Sequence, residues 1–497
     1  MTQFYLACEF GRDAGRVSIG SLHHEQLTVS EVHQFDHTPI RSKSGLQWDV
    51  NGLYNALTEA LRAAGVYEEP IGGISCTSCA GDYLLFDAKG ALLTPALIGS
   101  DPRFAAKSKN ESGIRAQNNY FQIGIQPQAC GTPVQLAHET SKRLKRAACL
   151  LPLADGFNYL LCGVPRIEAT LASATELYQP VERTWSERLL EELRVSRGKF
   201  AEVVPSGTVL GKLLPQIASG TKLDEAQVIA SCSHDLAAMA AGMPANPGEG
   251  WAFLGSGTDA SIGVPLAEPL INDLSRDLRY SNHLGYGSSI VFHKTIRGLS
   301  ILEACQRFWE KENRQLDPEL LMHLAGSATP FESLINPADP RFDDPEEMPL
   351  KIQAFCRETE QILPRKPGPI FRCILESLAL YYRRMLLELE HLSGVRVARL
   401  FLTGDSTNSL LNHFIANALQ LPVVVLPKNI TAIGNVAVQA VALGHLENVM
   451  HAREVVRNSF RLETLLPHGE AWNGAYQRFF ALAERAEIQN ASPAAAA

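Results

Sequence analysis

The sequence contains no apolar run long enough to span a bilayer, so no membrane-spanning helix is expected. Its opening, MTQFYLACEF, lacks the basic start and long apolar core of a secretory signal, which leaves a cytoplasmic setting as the expectation. Positive charge is also short. With 45 Lys and Arg against 53 Asp and Glu, the formal net charge of −8 speaks against a nucleic-acid-binding surface. There is no G-x-x-x-x-G-K-[ST] loop, no G-x-S-x-G and no His-Glu-x-x-His, which removes a Walker-type nucleotide loop, a hydrolase nucleophile elbow and a zinc-protease helix. Closely spaced cysteines are scarce as well: of ten, Cys76 and Cys79 in SCTSCAGD alone have metal or redox spacing, and no second pair or His-x-x-x-His follows, so zinc is not expected. Others lie among apolar residues, as in RCILES and EACQRF, and read as small buried hydrophobes in a reducing compartment.

What is present is an ordinary globular composition, 45% hydrophobic and 20% charged, in a chain of 497 residues that is too long for one core. Three strands are predicted around Tyr5–Phe10, Arg16–Gly20 and Leu27–Gln34, then a helix in NGLYNALTEALRAAG with Gly65 as its stop. The Pro/Gly-rich AAGMPANPGEG, residues 240–250, marks a domain boundary, giving domains at 1–245 and 246–488 and a disordered tail at 489–497. The second half opens on the strand WAFLGSGT and carries a long helix from about Pro369 to Leu392, stopped by Gly394. A glycine turn after a strand opens both halves. The expectation is a duplicated α/β architecture with a cleft between the domains.

Four stretches are candidates for chemistry, and each has a bland alternative. In EFGRDAGR the glycines Gly11 and Gly15 can form an anion nest, or a plain hairpin turn with Asp and Gly chemistry, which is the better local reading. In SCSHDLAAMAAG, Asp235 is an N-cap or a proton acceptor for a substrate hydroxyl, with His234 beside it. WAFLGSGTDASIG fits G-x-G-x-x-A, but no helix opens at its glycines, so a turn offering Thr258 and backbone amides to a phosphate fits better than a dinucleotide site. FLTGDSTNSLLN is a nucleotide-holding turn at Gly404 or an ordinary βα loop capped by Asp405, Ser406 or Thr407.

Taken in order, these stretches carry more than any does alone. With WDVNGL, GDYLLFD, INPADPRFDDPEEM, ESLALYYRRMLLELEHLSG, STNSLLN and IGNVAVQ, the chain resembles the FGGY carbohydrate kinases over nearly its whole length. The resemblance implies two actin-like ribonuclease-H-fold domains closing over a sugar and ATP, with transfer of the γ-phosphate to a hydroxyl of a ketose or related sugar. It makes Asp235 the general base, His234, Ala80, Asp82 and Thr295 sugar contacts, and Glu9, Gly11, Asp13, Gly15 and Arg16 the first phosphate loop. Gly257 and Thr258 become the second phosphate loop, Glu303, Gly404 and Asn408 nucleotide contacts, and Glu9 the holder of Mg2+ through water. Partners are then the sugar and ATP, with neither nucleic acid nor membrane, in a monomer or homodimer.

The chain also departs from the family pattern. Glu9 replaces the opening aspartate, Asp13 and Ala14 the small hydroxyl residues, Leu236 the Thr after the base, and Cys79-Ala80 a tryptophan-glycine. Thr295 and Glu303 replace an Asn and a Gln, and Thr403-Gly404-Asp405 a triple glycine. Acids at Asp13, Glu303 and Asp405, where an anionic nucleotide belongs, open the alternative of a sugar-binding pseudokinase with a degenerate ATP site.

Overall fold

The computed structural model describes residues 2–11, 14–43, 45–65, 70–104, 114–312, 316–404 and 408–491. The chain divides into two compact units, one comprising Met1–Pro247, Pro265–Phe292 and Asn429–Arg461, the other Gly248–Val264, His293–Lys428 and Leu462–Ala497.

The first unit is built on strands β1 (Gln3–Phe10), β2 (Ala14–His23) and β3 (Gln26–Asp36), helix α1 (Val50–Ala64), strand β4 (Ile71–Ser78), helices α2 (Leu153–Cys162) and α3 (Ala169–Ala174), strands β5 (Thr208–Lys212) and β6 (Gln227–Ala230), and helix α4 (Asp235–Ala241). The sheet order is β5-β6-β4-β1-β2-β3. β1, β2 and β3 form an antiparallel meander, while β1, β4 and β6 run parallel. β1 and β4 are buried along most of their length, as parallel strands covered on both faces are. Over β1–β3 lies α1, whose Leu53, Leu57 and Leu61 recur at four-residue spacing and are buried. Asp49 caps it by accepting the Gly52 N–H at 2.9 Å, and Gly65 ends it.

The second unit repeats the plan. Strands β7 (Trp251–Ser256), β8 (Asp259–Leu266) and β9 (Ile290–Arg297), helices α5 (Ser300–Lys311) and α6 (Pro367–Ser393), strand β10 (Arg399–Gly404), helix α7 (Ser409–Leu419) and strands β11 (Val423–Val425) and β12 (Glu463–Leu465) follow, with six strands of a seven-stranded sheet in the order β9-β8-β7-β10-β11-β12 and Ser281–Leu284 at the edge beside β9. β7 pairs antiparallel with β8 and parallel with β10, as β1 does with β2 and β4. G-S-G-T is therefore a hairpin turn and opens no helix. The long helix has prolines in its first turn, buries Ile374, Leu378, Tyr381, Met385 and Leu389 on one face, and stops at Gly394 with φ +69°.

The chain then returns to the first unit. Helix α8 (Ile430–Ala442) packs on β1 and α4, and Gln439 Nε2–H donates to the Leu6 carbonyl at 3.0 Å. Its small residues allow this: a Cβ on Gly434 would stand 1.8 Å from the Ala238 carbonyl oxygen. Pro265–Phe292 and Asn429–Arg461, which follow the 245/246 position in the chain, thus group with the first compact unit. The terminal segment is helical through Ala491, so residues 489–491 of the expected tail are helix, and the rest of it, residues 492–497, lies outside the described residues. No helix among the described residues is long and apolar enough to cross a membrane.

Candidate active site

The parallel pairing of β6, β4 and β1 brings three strand ends to one edge of the first sheet. Glu9 lies one residue from the end of β1, Cys79 and Ala80 follow β4, and His234 and Asp235 follow β6. A parallel bridge between Ser78 and His234, with Ser78 N–H donating to the Ser233 carbonyl at 2.9 Å, fixes the last two ends side by side. Ligands in open α/β sheets collect outside such carboxyl ends.

Asp235 is the first residue of α4. One carboxylate oxygen accepts the Leu236 N–H at 2.6 Å, the other the Cys79 thiol at 3.2 Å. Its side chain is 40% exposed, so it faces solvent with its position held. His234 is buried, with Nε2 3.4 Å from Asp235; burial pushes the imidazole pKa down while Asp235 opposes the shift, and Nδ1 has no hydrogen-bond partner among the described residues. A neutral imidazole with an unused ring nitrogen suits a polar ligand.

Glu9 stands opposite Arg16 in the β1–β2 register. Burial raises its pKa to about 7, Arg16 pulls it down, and the charges of Asp235 and Glu31 push it up. Arg16 is exposed and 3.7 Å from Glu31. The hairpin closes with the Gly11 N–H donating to Ala14 at 3.1 Å, and Arg12 and Asp13 lie outside the described residues. Gly15 has a packing reason as well, since a Cβ there would fall 2.0 Å from the Phe35 ring.

Asp82 sits just beyond Ala80 and accepts three hydrogen bonds: Trp48 Nε1–H at 2.8 Å, Gly99 N–H at 2.8 Å and Gln135 Nε2–H at 2.7 Å. Burial raises its pKa, and these donors counter the rise. His37 joins this pocket to the hairpin: its Nε2–H donates to the Gly11 carbonyl at 2.8 Å, and its ring lies 4.5 Å from the Trp48 ring. Sequence reasoning did not single out Trp48, His37 or Gln135 as functional. Trp48 stood inside WDVNGL, but nothing local tied its indole to Asp82.

In the second unit, the turn after β7, the start of α5 and the end of β10 converge. Leu299 N–H donates to Gly257 at 2.7 Å and Ser300 N–H to Thr258 at 3.0 Å. Gly404, at φ +104°, pairs with Ser256, and a Cβ on it would stand 2.0 Å from the Ser256 carbonyl oxygen. Thr258 Oγ1–H donates to Glu303 at 2.7 Å, so the expected phosphate hydroxyl already holds a carboxylate. Asn408, rather than Asp405, Ser406 or Thr407, occupies the N-cap position of α7, accepting the Leu411 N–H at 3.0 Å; residues 405–407 lie outside the described residues. Thr295 is exposed on β9.

Among the described residues no cluster of three or more His, Cys, Asp or Glu forms a cage for a metal ion. Mg2+ needs no such cage, because it keeps several waters and binds through one or two carboxylates plus substrate phosphates. Glu9, with Asp235 close enough to disturb its ionisation, fits that requirement.

The N-terminal domain model of the FGGY family of carbohydrate kinases matches residues 14–242, and the C-terminal domain model residues 254–443. A rhamnulokinase of Bacteroides thetaiotaomicron is 33% identical, covering 96% of this chain and 99% of its own. One from Enterococcus faecalis is also 33% identical, covering 92% and 93%. A ligand-bound xylulose kinase from Lactobacillus acidophilus superposes with a TM-score of 0.80 at 14% identity, and a Plasmodium falciparum glycerol kinase with ADP with 0.79 at 13%, each covering 98% of both chains. These structures share the two-domain α/β fold of the actin-like type. The chain belongs to the FGGY family of carbohydrate kinases and is rhamnulokinase-like.

Proposed function

We propose that this kinase transfers the ATP γ-phosphate to a hydroxyl of a ketose, with Asp235 as the general base. The observation that carries the reading is the Asp235 carboxylate itself, half-exposed at the head of α4 beside the ends of β1 and β4, with a thiol and a backbone N–H holding its two oxygens. A carboxylate so placed takes the proton from a sugar hydroxyl as its oxygen attacks the γ-phosphorus and ADP departs.

The remaining assignments follow the same division. The first unit (residues 1–245 in the linear reading) holds the sugar through His234, Asp82 and the backbone at Ala80, and the phosphates through Gly11, Gly15, Arg16 and Glu9. The second holds the nucleotide through Gly257, Thr258, Glu303, Gly404 and Asn408, with Thr295 toward the sugar. Glu9 holds Mg2+ through water, and the ion when bound neutralises charge on the phosphates. Full-length similarity to named kinases supports catalysis over the pseudokinase alternative.

The test is a panel of ketoses, rhamnulose first, assayed for ADP release with ATP and Mg2+, in the parent and in Asp235→Asn. The expected result is activity on at least one ketose and a loss of about 10²–10⁴-fold in kcat for Asp235→Asn, the range for a general base. A variant retaining a tenth or more of parental kcat refutes the base assignment. Failure of every ketose refutes the substrate class.

A further inference from the structure

Ser233, two residues before Asp235, spends both its polar hydrogens on a buried acidic pair at the starts of α2 and α3, and the His234 N–H reaches the same cluster through the Thr170 hydroxyl. Glu168, fully buried, caps α3 and takes the N–H groups of Thr170 and Leu171 at 3.0 and 3.3 Å. The same carboxylate oxygen accepts the Ser233 N–H at 2.9 Å. Asp155, in the first turn of α2 and 2% exposed, accepts the Ser233 Oγ–H at 2.7 Å with one oxygen and the Glu168 N–H at 3.0 Å with the other. Thr170 completes the set, its hydroxyl donating to Glu168 and accepting the His234 N–H at 3.2 Å. Ser206 Oγ–H donates to the second Glu168 oxygen at 2.6 Å.

Capping α3 does not need this side chain, since Ser, Thr, Asp or Asn satisfies the same two amides with a shorter reach. Two buried acids whose hydrogen-bond partners among the described residues are all neutral donors are costly, and burial pushes both carboxyls above their ordinary range. The extra methylene of Glu168 is what carries its carboxylate across to the segment after β6. That segment has no regular structure of its own between Ala230 and Asp235.

We propose that Glu168 and Asp155 are positioning residues for the phosphoryl-transfer step, fixing the Ser233–His234 backbone that presents Asp235. This rests on the reading of Asp235 as the base. A base displaced by a fraction of an ångström from the attacking oxygen loses rate without losing substrate affinity. Removing the hold therefore lowers kcat and leaves KM for ATP in place, a split that general unfolding does not produce.

The experiment compares Glu168→Ala, Glu168→Gln, Ser233→Ala and Asp235→Asn by steady-state kinetics with the ketose found active. Glu168→Ala is expected to lower kcat at least tenfold and Ser233→Ala at least threefold, with KM for ATP within twofold of the parent. Glu168→Gln, which keeps an acceptor oxygen for Ser233, is expected to return kcat to within threefold. If Glu168→Ala does not fold, Ser233→Ala decides, because it leaves the α3 cap and the Ser233 N–H bond intact. Parental kcat in Ser233→Ala overturns the inference while Asp235→Asn is inactive. Parental kcat in Asp235→Asn overturns the base assignment instead.

Discussion

Replacing Glu176 with glutamine should flatten part of the loss of stability on going from mild acid to mild alkali. Glu176 is 5% exposed, adopts φ +62°, and among the described residues has one long hydrogen bond, from the Gln128 N–H at 3.4 Å. Its other oxygen presses against Gly131, where a Cβ would stand 2.0 Å away. Burial raises its pKa from the ordinary 4.5 to about 8, with only that weak amide bond opposing. The folded value is the higher one, so the carboxyl's contribution is intact below about 4.5 and is lost as pH rises towards 8. Each unit of that window costs about 1.4 kcal/mol, and between pH 5 and pH 8 the parent loses about 3 kcal/mol through this group. Glutamine does not titrate. Urea unfolding of parent and Glu176→Gln at pH 5, 6, 7 and 8, followed by fluorescence, should show the curves diverging with the variant gaining by about 3 kcal/mol at the alkaline end. Parallel loss in the two proteins would refute the reasoning. The effect also bears on the site, because Gly131 follows Cys130, whose carbonyl accepts from Gln135 as that side chain holds Asp82.

Two further outcomes follow from the packing around the site. Trp48→Phe removes an indole donor from the Asp82 carboxylate, a bond to a charged group worth about 1.5–3 kcal/mol, so KM for the sugar should rise about tenfold or more with KM for ATP unchanged. An unchanged sugar KM would detach Asp82 from the sugar. Gly434→Ala forces a methyl to within 1.8 Å of the Ala238 carbonyl where α8 crosses α4, and should destabilise the first unit by about 3 kcal/mol or more, read as a lower urea midpoint. A change below about 1 kcal/mol would mean that the two helices part without cost.

The strands, the long helix and the glycine stops were legible because each rests on periodicity or on chain neighbours. The β1–β3 meander, α1 with Gly65 and α6 with Gly394 all lie where alternation, four-residue spacing and glycine place them. Residues set by pairing of distant segments were not. Pro265–Phe292 and Asn429–Arg461 rejoin the first unit through faces that read as ordinary amphipathic elements of the second. Asp155 and Glu168 look in sequence like acids in the first turns of short helices, where a solvated carboxylate is commonplace. That they are buried and grip Ser233 depends on β6 lying beside β4, a register no local pattern encodes.

The departures from the family pattern divide in the same way. Gly15 was read as room for a phosphate, yet Phe35 alone excludes a side chain there, so its presence is weaker evidence for a nucleotide than it looked. Glu303, counted against a nucleotide for its charge, is tied to the Thr258 hydroxyl, and a carboxylate engaged by a donor repels an approaching phosphate less than a free one. Cys79 works in the opposite direction. Standing where the family pattern has tryptophan, it supplies a thiol that donates to Asp235, a weak donor that a sugar hydroxyl would displace under the proposed role of Asp235. A weak donor is easily displaced, and it leaves more room than an indole. If Asp235 is the base as proposed, the change at Cys79-Ala80 alters the room beside it and leaves the Asp235 carboxylate itself in place.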